Sequence, residues 1–135
     1  MITFEKVTVE NESVVKEMFK SHSLGEKKVQ YCVKVDDTYI GVIDYSVQEE
    51  RAVLSQLIIH FDYQGYGYGA NTYFTFEEMM KQRNVKEIKV LQEELTEKAK
   101  SFIESFGFTS EDEEYVKKYN DDYLCDKINI RQVDV

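Results

Sequence analysis

The chain has 135 residues and no proline, a length that supports one domain around a single core. Its hydrophobic content is 42%, no run approaches the roughly 18 apolar residues of a membrane helix, and the amino terminus MITFEKVTVE lacks a basic and apolar leader; the expected location is the cytoplasm. A formal net charge of −9 would repel nucleic-acid phosphates, and it suits a cationic partner such as an amine or serves solubility alone.

In chain order, residues 1–9 alternate apolar and polar with one slip (Ile2, Phe4, Val7, Val9), so the chain is expected to open on a strand. Asn11 is a good N-cap for a helix carrying Val14, Val15, Met18, Phe19 and His22 at helical spacing, stopped by Gly25. Residues 29–35 and 38–47 alternate cleanly about Asp36-Asp37, which predicts a hairpin. Gln48-Glu49-Glu50 makes the next turn, and residues 51–60 form a third consecutive antiparallel strand.

The stretch 54–72, LSQLIIHFDYQGYGYGANT, passes from strand through a glycine-rich loop into a helix over 70–83. Ala70, Tyr73, Phe74, Met79 and Met80 supply most of that helix's apolar stripe. A short strand over 85–91 (Val85, Ile88, Val90) follows. Thr96 then caps a helix with the stripe Leu95, Ala99, Phe102, Ile103 and Phe106, ended by Gly107. Phe108 starts a strand, Glu111 to Glu114 reads as a solvated loop, and residues 115–119 and 123–130 read as a closing hairpin around Asn120-Asp121-Asp122. The order is β-α-β-β-β-α-β-α-β-β, a mixed sheet with helices on both faces.

Cys32 and Cys125 lie in strand-like runs with no CxxC spacing and no histidine cluster, and read as buried free thiols. The two histidines, His22 and His60, are far apart. No metal site is expected.

Strand, glycine loop, helix is the geometry of an anion site. Glycines adopt positive φ without a Cβ clash, and the free N–H groups of a helix's first turn converge on an anion in front of them. A diphosphate is the natural guest; the competing reading is a Gly/Tyr-rich hairpin with no ligand. The spacing Gly65-x-Gly67-x-Gly69 falls mid-chain after several strands, which does not fit the dinucleotide fingerprint, and no Gly-Lys pair exists for a nucleotide-hydrolase phosphate loop.

Gln64-Gly65-Tyr66-Gly67-Tyr68-Gly69, with Ala70 following, resembles the Q/R-x-x-G-x-G/A acyl-CoA loop of the GNAT superfamily of N-acetyltransferases. The approach Ile59-His60-Phe61-Asp62-Tyr63 is similar to the family's V-H-P-E-Y, and Ala99 to Phe108 resembles its A-x-x-x-Y-x-x-x-G-F segment. The resemblance implies an α/β (α+β mixed) fold, a central, mostly antiparallel sheet of about seven strands with helices on both faces. It implies acetyl-CoA as acyl donor. The diphosphate would lie on the amides of Gly65, Tyr66, Gly67, Tyr68, Gly69 and Ala70, with Gln64 beside them. The pantetheine arm would pair with a splayed strand at Leu57, Ile58 and Ile59, where a backbone N–H near Ile58 or Ile59 polarises the thioester, and Phe102 would lie near the thiol. The implied activity is acetyl transfer to a primary amine of a small molecule or peptide, by a monomer or homodimer. The alternatives are an acyl-CoA-binding or sensing module with weak turnover, and an interaction domain with a vestigial loop.

The proton chemistry is not legible. Many relatives carry a tyrosine at the position of Ile103, and some a glutamate at that of Val53. An alkyl ammonium at pH 7 lies roughly 3 units below its pKa, so freeing the amine costs on the order of 4 kcal/mol and calls for a base. Gln56, Asp44, Glu50, Tyr45 and Tyr123 are placed near the centre of a splayed sheet. No sequence feature ranks them, and no catalytic residue is assigned.

Overall fold

A computed structural model describes residues 1–18, 30–91 and 96–119. Seven strands form one sheet: β1 (Ile2–Lys6), β2 (Tyr31–Val35), β3 (Thr38–Gln48), β4 (Arg51–Ile59), β5 (Glu87–Leu91), β6 (Thr109–Glu111) and β7 (Glu114–Lys118). Three helices accompany them: α1 (Glu12–Met18), α2 (Tyr68–Gln82) and α3 (Glu97–Glu104), with a 3-10 turn at Phe61–Tyr63. The strand order is β1-β2-β3-β4-β5-β7-β6. All neighbours are antiparallel except β4 and β5. A parallel pair needs a crossover, and α2 supplies it.

Tight turns join the antiparallel strands. Asp36, Glu49 and Asp112 hold their left-handed positions, with φ of 53°, 58° and 55°. Two helix ends use the devices the sequence predicts. The Thr96 hydroxyl accepts from the Ala99 N–H at 3.1 Å, and Gly107 follows α3 at φ 92°. Asn11 departs from expectation: its carbonyl starts α1, but its side chain turns back to the preceding loop. There it accepts from the Thr8 N–H at 2.7 Å and donates to the Lys6 carbonyl at 3.0 Å.

The sheet separates two apolar layers. On one face α2 and α3 cover Val33, Ile43, Tyr45, Ala52, Leu54, Ile59, Ile88, Val90 and Tyr115. On the other, α1 brings Val15 and Met18 against Cys32, Val42 and Ile58. β3 is therefore buried continuously from residue 40 to residue 45, where simple alternation predicts one wet face. Helices on both faces and the mixed seven-strand sheet match the expected architecture. Among the described residues, no helix is long and apolar enough to cross a membrane.

Several sequence readings need correction. α2 starts at Tyr68, and its buried residues are Thr72, Tyr73, Phe76, Glu77 and Met80; Phe74, assigned to the stripe, is exposed. Val85 is buried but precedes its strand. Residues 115–119 fall in and just after β7, which pairs with β6 through Glu114, Tyr115 and Val116 and with β5 on its other edge. His22, Gly25, Leu95, Asn120-Asp121-Asp122, Cys125 and the arm 123–130 lie outside the described residues.

Candidate active site

β4 and β5 run together for four rungs, from Arg51–Glu87 to Leu54–Val90, and then part. The cause lies in β4. Its register with β3 steps from Tyr45–Leu54 to Asp44–Gln56, so Ser55 is an extra residue, a β-bulge that bends the strand. The Ser55 hydroxyl donates to the Asp44 carbonyl at 3.1 Å. Past the bulge, β4 still pairs with β3, while among the described residues, which reach Leu91 on that side, no β4–β5 pair follows Leu54–Val90.

Strand alternation decides which backbone groups face the opening. The His60 N–H donates to the Ile40 carbonyl at 2.8 Å, which turns His60 toward β3. The backbone of Ile59 and Leu57 then points to the open edge and that of Ile58 to β3. The side chains divide in the same way, Leu57 and Ile59 toward α2 and α3, Ile58 toward α1.

At the end of β4 the chain turns through Phe61–Tyr63 into the glycine loop. Gly65 and Gly67 have φ of 87° and 83°, and a Cβ on either would meet nothing within 4 Å. Backbone conformation, not crowding, selects glycine there, and the space in front is open. Gly67 is the N-cap of α2 and has no side chain to use as a cap. The first helical bond runs from the Asn71 N–H to the Gly67 carbonyl at 3.1 Å, so the N–H groups of Tyr68, Gly69 and Ala70 precede the ladder. They sit at the positive end of a 15-residue helix.

Gln64 braces this loop. Its side-chain amide donates to the Ile59 carbonyl at 2.8 Å, and its backbone N–H donates to the Phe61 carbonyl at 3.3 Å. His60 accepts the Asp62 N–H at 3.2 Å on Nδ1. The third glycine serves packing: a Cβ on Gly69 would lie 3.4 Å from Phe102 Cζ and 3.9 Å from Ile59 Cγ1. The first turn of α2, the end of β4 and α3 thus meet at one point. Phe102 rests edge-on against Phe106 (4.7 Å), which stacks on Tyr73 (4.2 Å). Loop, open edge and Phe102 form one continuous surface, while the exposed Tyr66 stands at its rim, 6.2 Å from the Tyr68 ring.

The residues considered for proton transfer scatter. Ile103 is buried in the core below Phe102. Val53 pairs with Lys89 inside the β4–β5 ladder. Tyr45 stacks on Tyr31 at 5.0 Å, and burial, with Tyr31 beside it, pushes its hydroxyl pKa up. Glu50 is exposed in a turn, and Tyr123 is outside the described residues. Asp44 and Gln56 are neighbours across β3 and β4 on the α1 face: Gln56 Nε2 donates to Asp44 Oδ2 at 3.3 Å, and the Gln30 N–H donates to Asp44 Oδ1 at 2.7 Å. Asp44 is only 5% exposed. Burial pushes its pKa up, against the backbone bonds from Gln30 and Tyr31.

The second buried carboxylate, Glu77, is treated differently. It receives the Tyr73 hydroxyl at 2.6 Å and the ammonium groups of Lys117 at 2.9 Å and Lys81 at 3.3 Å. Burial alone would raise its pKa, but the bonds from Tyr73 and Lys117 outweigh burial and hold it at about 2. Cys32 is free and buried, and burial raises its thiol to about 11. Among the described residues no three metal-ligating side chains converge.

The sequence pattern of the acetyltransferase (GNAT) domain matches residues 2–121. The chain belongs to the GNAT acetyltransferase family. Against curated protein sequences it has no significant match. Solved GNAT-fold structures nevertheless superpose over nearly their whole length. An acetyltransferase from Thermus thermophilus is 18% identical with a TM-score of 0.71, covering 87% of this chain and 97% of its own. The PaiA N-acetyltransferase of Thermoplasma acidophilum, solved with coenzyme A, is 17% identical with a TM-score of 0.64, covering 88% and 99%. Arabidopsis thaliana Naa50, solved with a bisubstrate analogue CoA-Ac-MVNAL, is 19% identical with a TM-score of 0.63, covering 85% and 95%. Within this GNAT frame, sequence reasoning missed the bulge at Ser55 and the isolation of Asp44. The bulge leaves one trace: apolar positions on the α2 face step by three from Leu54 to Leu57 instead of by two.

Proposed function

We propose that this GNAT domain transfers the acetyl group of acetyl-CoA to a primary amine by direct attack on the thioester. The observation that carries the proposal is the convergence of an uncapped helix N-terminus, an unpaired strand edge and Phe102 on one surface. The amides of residues 65 to 70 bind the diphosphate, with Tyr68, Gly69 and Ala70 supplying the helix-end N–H groups. Leu57 and Ile59 offer their backbone to the pantetheine arm, as a neighbouring strand would. The Ile59 N–H, or that of Leu57, donates to the thioester carbonyl and steadies the oxyanion; Ile58, expected to share this role, turns its backbone to β3. Gln64 acts from behind, through the Ile59 carbonyl, and Phe102 covers the thiol end. Holding donor and acceptor together removes much of the entropic barrier.

The test is calorimetric titration of acetyl-CoA into wild type and Gly67→Glu. Substitution at φ 83° strains the turn and places a carboxylate where the diphosphate sits. Micromolar binding to wild type that disappears in the variant supports the site. Binding to neither protein sinks it. Ile103 in place of a tyrosine favours one second reading, an acyl-CoA-binding module with weak turnover; release of free thiol in the presence of amines separates the two.

A further inference from the structure

Asp44 is the one buried carboxylate among the described residues that has no cation beside it. Charged side chains are almost never this buried without a partner, and Glu77, with two lysines, shows the ordinary solution in the same molecule. The donors to Asp44 are neutral: two backbone N–H groups and the Gln56 amide. Among the described residues of α1 and β2, the charged groups are committed elsewhere. On α1, Lys16 pairs with Glu12 at 3.2 Å, and Glu17 is acidic. On β2, Lys34 pairs with Glu5 of β1 at 3.6 Å, and Cys32 is a neutral thiol.

Position gives this isolated charge a meaning. Asp44 and Gln56 form the first rung past the Ser55 bulge, where β4 and β5 begin to part. Their side chains share the face of Val42 and Ile58, opposite the face that carries Phe102 and α2. Gln56 is half-buried and the adjacent Ser46 and Ser55 are exposed, so solvent reaches the Gln56 end of this rung, with Asp44 buried behind it. A donor held on the α2 side leaves the acceptor one approach, through the opening from the α1 side.

We propose that Asp44, with Gln56, is the acceptor subsite: its carboxylate is the counter-charge for a primary ammonium and then takes one proton from it. This rests on the acetyl-transfer reading. The ammonium N–H bond breaks and its proton passes to Asp44 Oδ2. The freed lone pair attacks the thioester carbonyl carbon, and the C–S bond breaks as the amide forms. The second nitrogen proton goes to the departing thiolate, and Asp44 returns its proton to water. The substrate class is a cationic primary amine, with Gln56 offering its amide oxygen to a remaining N–H.

The experiment compares wild type with Asp44→Asn, which preserves shape and still accepts from the Gln30 and Tyr31 N–H groups. Four readouts are taken: acetyl-CoA affinity, Tm at about pH 6 and about pH 8, the Tm rise that n-butylammonium gives the CoA-bound protein, and thiol release with n-butylamine, spermidine and a peptide with a free amino terminus. A carboxyl whose folded pKa lies above its ordinary value makes the fold less stable as pH rises, so removing the charge removes that cost. The variant is expected to bind acetyl-CoA as wild type does and to match or exceed its Tm at the higher pH. Its kcat/KM toward the amines falls by about 100-fold or more. The Tm rise that n-butylammonium gives the CoA-bound wild type is lost in the variant. Unchanged kcat/KM and an unchanged amine-induced rise overturn the assignment. So does a variant that is less stable than wild type or fails to fold, because Asp44 would then be structural. Wild type that binds no acetyl-CoA overturns the transfer reading instead, and this assignment with it.

Discussion

Gly41 on β3 lies so close to Ile58 on β4 that a Cβ there would run into the Ile58 carbonyl oxygen. This contact is on the closed side of the strand whose other side is the open edge. Gly41→Ala is therefore expected to push β4 sideways and carry Ile59 with it. Crowding of this kind costs about 1–3 kcal/mol, visible as a lower Tm, and acetyl-CoA affinity should fall as well. An alanine variant with wild-type affinity would show that the edge is not where the donor lies.

Gln64→Ala removes the donor to the Ile59 carbonyl. One neutral hydrogen bond is worth about 1 kcal/mol, so stability should change little. If the bond's work is to orient the edge, acetyl-CoA affinity drops by about tenfold while Tm stays nearly constant. A change in Tm without a change in affinity would assign Gln64 to the fold alone.

Gly69→Val tests the meeting of helix and aromatic ring. The first added carbon already sits 3.4 Å from Phe102 Cζ, and two more methyl groups must displace the ring. Titration should show weaker acetyl-CoA binding than for Gly69→Ala, which only tightens an existing contact. Equal binding by both would mean that the position of Phe102 is immaterial.

Glu77 makes a prediction about pH. Its folded pKa is about 2 against an ordinary 4.5, so the ionised form is favoured in the native state. The depressed value contributes about 3 kcal/mol of stability above pH 4.5, lost as pH falls toward 2. Denaturant midpoints at successive pH values should show this loss in wild type. Glu77→Gln should be less stable at neutral pH and show a shallower acid dependence; parallel acid profiles would contradict the bonding to Tyr73, Lys117 and Lys81.

The parts of the fold legible in sequence are those where one local rule decides. Glycine spacing at 65, 67 and 69 identifies the loop because two of these positions need positive φ, and period-two alternation locates β2, β3 and β4. Non-local choices were not legible. Glu114, Tyr115 and Val116 pair backward with β6 because the Asp112-Glu113 turn is tight enough to form a hairpin. The bulge shifts alternation by one, so sequence alone does not separate Ile58 from Ile59 as the edge residue; the His60–Ile40 bond does. Asp44 reads as an ordinary polar position in an alternating strand; only the burial of β3 on both faces makes it conspicuous.

The parting of β4 and β5 also bears on solubility. An unpaired strand edge is ordinarily a template for other chains and invites aggregation. This edge is internal: it begins past the Leu54–Val90 rung, on a strand that lies between β3 and β5 in the sheet order. The same bend that creates a docking edge thus keeps it inside the sheet, and the protein holds an open hydrogen-bonding edge without displaying one at its outer boundary.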